Sequence, residues 1–483
     1  MRKGLATLAI AGAAAAAFAW PGAASAQDGP LGRERCRLEA ASAPAAFARC
    51  GTLAVPENPA EPNGATIDLF IARIGALSAE PRRDPLLLIA GGPGQSTVDM
   101  YLQLRGAFEP ARRDRDIVLV DQRGTGRSAT GFGCTVPDDL ALDTAGADVL
   151  GGVVQNCLAA LEHEPRFYTT SVAVQDLERV RAALGIEQWN IYGVSYGTRV
   201  AAHYLRRFPE RTRAVVLDGV VPPELALGPD VAREAQRALE QIFARCAADE
   251  HCHSRFSALP QDFAALLARL DSATAPGTPE RPPLTAPELR ALVRFMSYDS
   301  ATVALLPVLL HEANAGNYAP LAGQARTLLR DLPESLSFPM SNSVTCTEDV
   351  PFIDAAATTG LDDTYLGTAI IDALQLICSR WPAGVIDADM KEPLSSDQPV
   401  LLLSGEHDPI TPPAYAERAI AGGLRNSRHL IGRSQGHGLV AVGCVPRVLR
   451  AFLESPVPAE LDASCLDSQP APPFFLSLLG PAP

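Results

Sequence analysis

The chain has 483 residues, is 47% hydrophobic and carries a formal charge of −14, with 55 acidic against 41 basic side chains. That length exceeds an ordinary single domain, so one large core with an insertion, or two domains, is expected. The acidic balance argues against nucleic acid and anionic membrane as partners. The basic side chains are almost all arginine, since Lys3 and Lys391 are the two lysines.

Arg2 and Lys3 precede an apolar stretch at 5–20, and Ala24-Ser25-Ala26 has the small-x-small form of a signal-peptidase site. Residues 1–26 are therefore expected to be a signal peptide, and the mature chain an exported periplasmic or extracellular protein without a membrane anchor. No later stretch reaches the roughly 20 apolar residues of a membrane span. Ten cysteines fit an oxidising compartment. They fall in near pairs: Cys36 and Cys50, Cys134 and Cys157, Cys246 and Cys252, Cys346 and Cys378, Cys444 and Cys465. Sequence does not fix the connectivity; sequential pairing is the expectation. His251-Cys252-His253 invites a metal reading, but a short loop closed by Cys246 explains the cysteine, and no second cluster has zinc-ligand spacing.

Short apolar runs predict strands at 67–74, 86–90, 117–120, 189–194, 214–217, 400–403 and 429–431, most of them parallel and covered on both faces. Between them, Ser171 reads as the N-cap of a helix with Val174, Leu177, Val180 and Leu184 on its apolar side, closed by Gly185. This alternation predicts an α/β fold with a mostly parallel, doubly wound sheet. From 221 to 395 the rhythm turns helical, as at 231–246 and 263–270, broken by a proline-rich stretch at 275–287. The expected organisation is a core in two parts, 27–220 and 396–483, with a helical cap inserted at 221–395.

Gly193-Val194-Ser195-Tyr196-Gly197 follows the 189–194 strand. A serine between two glycines at a strand end and a helix start is a nucleophile-elbow pattern. The turn must be sharp enough to hold the hydroxyl clear, and a side chain at either flank would collide with neighbouring chain. The following helix points its N-terminal amides at the oxygen that becomes negative in acyl transfer. Further on, Ser404-Gly405-Glu406-His407-Asp408-Pro409 follows one strand and Gln435-Gly436-His437-Gly438 another. The order Ser195, Asp408, His437 is that of α/β-hydrolases. His437 would take the Ser195 proton and return it to the leaving group, while Asp408 fixes the imidazole tautomer and stabilises the imidazolium. The rivals are Glu406 and His407. An Asp-Pro turn favours Asp408, and His407 adjoins the acid in the same turn, an awkward place from which to reach Ser195.

Two further motifs, Gly91-Gly92-Pro93-Gly94-Gln95-Ser96 after one strand and Asp121-Gln122-Arg123-Gly124-Thr125-Gly126-Arg127-Ser128 after the next, carry a resemblance. Together with the elbow they resemble the proline iminopeptidase and tripeptidyl aminopeptidase branch of the α/β-hydrolases. The likeness runs from about 50 to 220 and returns from about 395 to 470, where it is similar to the tripeptidyl-aminopeptidase-like C-terminal region. It implies an oxyanion-hole role for 91–94; Pro93 has no N–H, so the donor is Gly92, paired with the backbone N–H of Tyr196. The segment 121–128 reads as architectural. The chain departs from the pattern at Ala90, where proline iminopeptidases usually have histidine. It departs again after Leu217-Asp218-Gly219, where the tripeptidyl group often has an acidic residue and this chain reads Val220-Val221-Pro222-Pro223-Glu224.

An aminopeptidase needs carboxylates for a free α-ammonium group, and Glu348 and Asp349, beside Cys346, are the candidates. The expected function is thus an exported serine hydrolase that cleaves residues or short peptides from peptide N-termini, with no metal or cofactor. Ester or amide hydrolysis on small molecules is the alternative, and a non-catalytic binding protein on the same fold a third.

Overall fold

The computed structural model describes residues 30–41, 43–137, 147–273 and 283–481. The expected signal peptide at 1–26 lies outside the described residues, as does the first part of the proline-rich stretch at 275–287. The strands are β1 (Leu31–Ala40), β2 (Ala43–Pro56), β3 (Thr66–Ile74), β4 (Leu86–Ile89), β5 (Ile117–Val120), β6 (Trp189–Val194), β7 (Thr212–Asp218), β8 (Val400–Gly405) and β9 (Ser427–Gly432). They form one sheet in the order β1-β2-β3-β5-β4-β6-β7-β8-β9. Every neighbouring pair from β5 to β9 is parallel, and β1, β2 and β3 add on antiparallel.

All seven expected strands are present. β1 and β2 were not expected: β1 alternates charged and apolar residues from Arg35 on, as a strand with one open face does, and β2 is rich in alanine with a proline at 44 and a glycine at 51. The helices of the core's first part are α1 (Thr97–Arg112), α2 (Ala147–Ala160), α3 (Thr170–Ala183) and α4 (Tyr196–Arg207). Between β7 and β8 the regular elements are all helical. They are α5 (Pro229–Ala248), α6 (Glu250–Arg255), α7 (Leu259–Ala273), α8 (Ala286–Met296), α9 (Ser300–Asn314), α10 (Ala319–Ser335), α11 (Phe338–Val344) and α12 (Ala369–Cys378), with short 3-10 and π turns. α13 (Pro413–Gly423) and α14 (Val445–Glu454) complete the chain order.

The wholly apolar strands pack on both faces, as their composition requires. Leu86 and Leu88 of β4 face a cluster with α1 and α14, whereas Leu87 and Ile89 face one with α3 and α4. Each fully buried aliphatic side chain contributes about 1.5–3 kcal/mol relative to exposure. A third cluster lies among the helices between β7 and β8, and Phe474 near the C-terminus packs into it. Phe475 N donates to Ala304 O at 2.9 Å, so the end of the tail docks on the helical part, while Leu461, Ala463 and Leu466 earlier in it pack with the sheet.

Ser171 is not the N-cap of α3. That position is Thr169, and the Ser171 hydroxyl instead accepts a hydrogen bond from Asp387 N at 2.9 Å. All five sequential disulfides are formed: Cys36–Cys50, Cys134–Cys157, Cys246–Cys252, Cys346–Cys378 and Cys444–Cys465.

Candidate active site

The strand order decides what meets what. β4 pairs with β6 so that Ile89 faces Gly193, which places the Gly91–Gly94 turn beside the Ser195 elbow. β7 lies on the other side of β6, followed by β8 and β9. The turns after β4, β6, β8 and β9 therefore open at one end of the sheet, the usual location of sites in open α/β sheets.

Ser195 sits at φ 55°, ψ −125°, between β6 and the first residue of α4. A non-glycine residue in this region carries roughly 1–3 kcal/mol of strain. The flanking glycines are set by space. A Cβ on Gly197 would lie 2.5 Å from Ile89 O and 2.6 Å from Ala90 O, and one on Gly193 would strike Gly197 O. Even Gly91 has no room, since a Cβ there would lie 3.0 Å from Ser195 Cβ.

Gly92 adopts φ +105°. Its N–H has no hydrogen-bond partner among the described residues, and the Tyr196 N–H, first in its helix, has no acceptor within α4. Both donors suit an oxyanion. The helical part of the chain reaches this turn: Leu336 bridges Gln95 in antiparallel fashion, Ser337 N donates to Gly94 O at 3.0 Å, and Leu336 Cδ2 lies 3.2 Å from where a Gly92 Cβ would be.

Asp408 is fully buried in the turn after β8. Its Oδ1 accepts from Ile410 N (2.9 Å) and Thr411 N (2.8 Å), and its Oδ2 accepts from Thr411 Oγ1 (2.7 Å). His437 Nδ1 lies 2.8 Å from the same Oδ2 and 3.0 Å from Thr411 Oγ1. Burial pushes the Asp408 carboxyl up, but the His437 charge and these hydrogen bonds outweigh it and hold the group below its ordinary range. Burial pushes His437 down; the Asp408 charge and hydrogen bond, with help from Asp218, raise it above the ordinary value instead. Among the described residues Ser195 Oγ has no hydrogen-bond partner, and serine-to-histidine bonds of this kind commonly tighten only when substrate binds.

Residues 84–275 match the α/β-hydrolase-fold family, and residues 363–465 match the TAP-like protein family. The chain has an α/β-hydrolase fold. It is 29% identical over 284 residues to the serine protease Hip1 of Mycobacterium tuberculosis, covering 54% of this chain and 53% of Hip1. It is 30% identical over 192 residues to the tripeptidyl aminopeptidase of Streptomyces lividans, 36% of each chain. It is 31% identical over 140 residues to the proline iminopeptidase of Xylella fastidiosa, 29% of this chain and 33% of that protein. The chain thus matches between about a third and about half of these relatives' own length.

One expectation for the site needs correction. Glu348 and Asp349, assigned to a substrate amine, are buried with relative exposures of 0% and 1% in a π-helical turn after α11. Arg199 of α4, also fully buried, lies between them: its NH2 donates to Asp349 Oδ1 at 2.7 Å and its NH1 to Glu348 Oε2 at 3.4 Å. Thr170 N (2.7 Å) and Oγ1 (2.8 Å) take the rest of Glu348, and Leu227 N donates to Asp349 Oδ1 at 2.9 Å. With charge and lone pairs met by protein groups, neither carboxylate offers a face to a substrate. They brace the nucleophile helix instead, and Tyr196 joins through its hydroxyl, 2.8 Å from Thr170 Oγ1.

Two residues that hold the candidate site together escaped the sequence reading. Asp218 ends β7, and its carbonyl accepts from Ser195 N at 2.9 Å. Its buried carboxylate accepts from Tyr192 Oη (2.8 Å), Leu439 N (2.8 Å) and Val440 N (2.9 Å), so the elbow and the His437 loop hang on one residue. Its place at a strand end in Leu217-Asp218-Gly219 was the available signal. Tyr298, just beyond α8, accepts a 2.7 Å hydrogen bond from His437 N through its carbonyl and sets its ring edge-on to the imidazole at 5.0 Å. Gly436 is a glycine because a Cβ would strike the Tyr298 carbonyl. The 121–128 segment is structural: buried Asp121 accepts from Ser96 Oγ (2.9 Å), Val98 N (3.1 Å) and Arg127 N (2.9 Å).

Thr411→Val removes a hydroxyl that orients both Asp408 and His437. The expected result is a fall in kcat/KM of about tenfold, the worth of one hydrogen bond to a charged group, with Thr411→Ser recovering most of it in steady-state assays. His437 must be neutral to accept a proton, so kcat/KM rises with pH along a limb set by its raised pKa. That limb is expected above about 6.5, the ordinary histidine value. Asp408→Asn removes the stabilising charge and moves the limb to lower pH, as a pH–rate profile will show.

Proposed function

We propose that this chain is a serine peptidase that releases residues or short peptides from peptide N-termini through an acyl-enzyme on Ser195. His437 takes the hydroxyl proton as Ser195 attacks the carbonyl carbon. The resulting oxyanion receives the Gly92 and Tyr196 N–H groups, each such donor being worth about 3 kcal/mol in the transition state. His437 then protonates the departing amine, and water, activated by the same imidazole, hydrolyses the ester. Asp408 keeps Nδ1 protonated so that Nε2 faces Ser195. The observation that carries this reading is the 2.8 Å contact from His437 Nδ1 to Asp408 Oδ2 at the sheet end that bears the strained serine.

Relatives named as a serine protease, a tripeptidyl aminopeptidase and a proline iminopeptidase support the peptidase class. We take 221–395 as a cap over the two core parts, 27–220 and 396–483. Residues from the cap touch the oxyanion turn at Leu336 and His437 at Tyr298. Export is part of the proposal, and five disulfides suit an oxidising compartment.

The burial of Glu348 and Asp349 favours a second reading, a hydrolase of esters or blocked amides that needs no amine anchor. The deciding assay compares free and N-acetylated forms of the same short peptide amides beside an aryl ester. Preferential cleavage of the free forms is expected. Equal cleavage of free and blocked peptides rules out the aminopeptidase reading, and turnover of the ester alone establishes the second.

A further inference from the structure

We propose that Arg294 marks a carboxylate-binding position on the leaving-group side of the Ser195 site. It would engage a carboxylate carried by the part of the substrate that departs first. The proposal rests on the peptidase reading for its substrates but not for its geometry.

In serine acyl transfer the histidine hands its proton to the leaving group, so the departing half lies on the histidine side of the site. Tyr298 is packed there, its ring 5.0 Å from that of His437. Arg294, one turn earlier on α8, holds its guanidinium 4.8 Å from the Phe295 ring and 5.9 Å from the Tyr298 ring. Its NH2 donates to Tyr298 Oη at 3.2 Å. The two ring contacts and this hydrogen bond restrict the guanidinium, whose fork matches carboxylates.

The fork is unfilled. Arg294 Nε is buried with no hydrogen-bond partner, and among the described residues no carboxylate lies within ion-pair distance of Arg294. The fully buried arginines elsewhere each face a carboxylate, Arg115 Asp84, Arg123 Asp176 and Arg199 Glu348 and Asp349, although Arg115 NH1 and Arg199 Nε also lack a hydrogen-bond partner. Tyr365 adds a second orphan. Its hydroxyl is buried without a partner, within electrostatic reach of Arg294 and Tyr298. The Arg294 charge also reaches His437, where it opposes protonation of the imidazole. A half-buried cation beside the catalytic base and two unanswered polar atoms together fit an incoming anion. A carboxylate on the departing segment supplies one, either as the free C-terminus of a short peptide or as an acidic side chain just after the scissile bond.

Three matched pairs of substrates test this. The first is a short series of alanine peptides as free acids and as amides. The second places aspartate or asparagine amide after the scissile bond, and the third is para-acetoxybenzoate against para-acetoxybenzamide. The ratio of kcat/KM for the carboxylate member over its neutral partner is measured in wild type, Arg294→Gln and Arg294→Lys. The expected result is a ratio that falls roughly ten- to hundredfold in Arg294→Gln and less in Arg294→Lys, which retains the charge. A fall confined to the free acids identifies the C-terminal carboxylate, and one shared by the aspartyl pair includes the side chain. Unchanged ratios in every pair overturn the proposal, as does an equal loss on both members. If no peptide is cut but the aryl esters are, the peptidase reading fails and the aryl pair decides the role of Arg294. Should Arg294→Gln not fold, Arg294→Met, which also removes the charge, gives the same comparison.

Discussion

Ser195→Ala is expected to lower kcat by about a millionfold, the scale seen when the nucleophile of a serine triad is removed, while leaving the fold intact. Alanine keeps the Cβ that already occupies φ 55° at the elbow, so it introduces no new collision with Gly91. The hydroxyl has no hydrogen-bond partner among the described residues, so its loss leaves no buried group unsatisfied. Unfolding should therefore shift by no more than about 0.5 kcal/mol, as for a substitution that breaks no packing. Asp408→Asn is the informative contrast. It keeps the buried shape but presents an amide to His437 Nδ1, which favours the wrong tautomer and costs on the order of ten-thousandfold in kcat. Titration of activity against a fluorescent peptide amide, alongside denaturant unfolding, separates the two effects.

Arg199→Met is expected to destabilise the protein by about 3–5 kcal/mol, because it leaves two buried carboxylates without their cation. Arg199, Glu348 and Asp349 are all essentially inaccessible, and Arg199 NH2 also donates to Leu225 O at 3.0 Å. Methionine fills much of the volume, so the loss reflects charge more than a cavity. The triple variant Arg199→Met, Glu348→Gln, Asp349→Asn should recover most of the stability. Burial already raises the Glu348 carboxyl above its ordinary range, with Arg199 as its strongest opposing influence. Without Arg199 the folded-state value rises further. A group whose folded value exceeds its unfolded one contributes stability below the unfolded value and loses it as pH rises through the folded value. The single variant should thus regain stability on acidification relative to wild type. Chemical denaturation at several pH values checks both the size and the sign.

The central strands and the Asp408–His437 pair were legible because both rest on local pattern. A short apolar run such as 117–120 or 189–194 can be little other than a strand covered on two faces, and the chemistry sits in the turns that follow such runs. The glycines of the elbow were legible for the same reason: close approach of Gly197 to Ile89 and Ala90 leaves a mark in the sequence itself. The edge strand β1 and its neighbour β2 were not: the arginines and glutamates of β1 break any apolar run, and β2 is interrupted by Pro44, Arg49 and Gly51. Glu348 and Asp349 show the deeper limit. An acidic pair beside a disulfide looks the same whether it faces a substrate or a buried arginine, and Arg199 lies 149 residues from Glu348 in the chain. Asp218, Tyr298 and Arg294 likewise acquire meaning only when β7, α8 and the His437 loop are brought together.

A fluorophosphonate probe followed by peptide mass spectrometry tests the nucleophile most directly. In folded protein a single adduct on Ser195 is expected, absent from Ser195→Ala, absent after denaturation, and slowed in His437→Ala. Folded protein that remains unlabelled, or that carries its adduct on another residue, contradicts acyl transfer at the elbow.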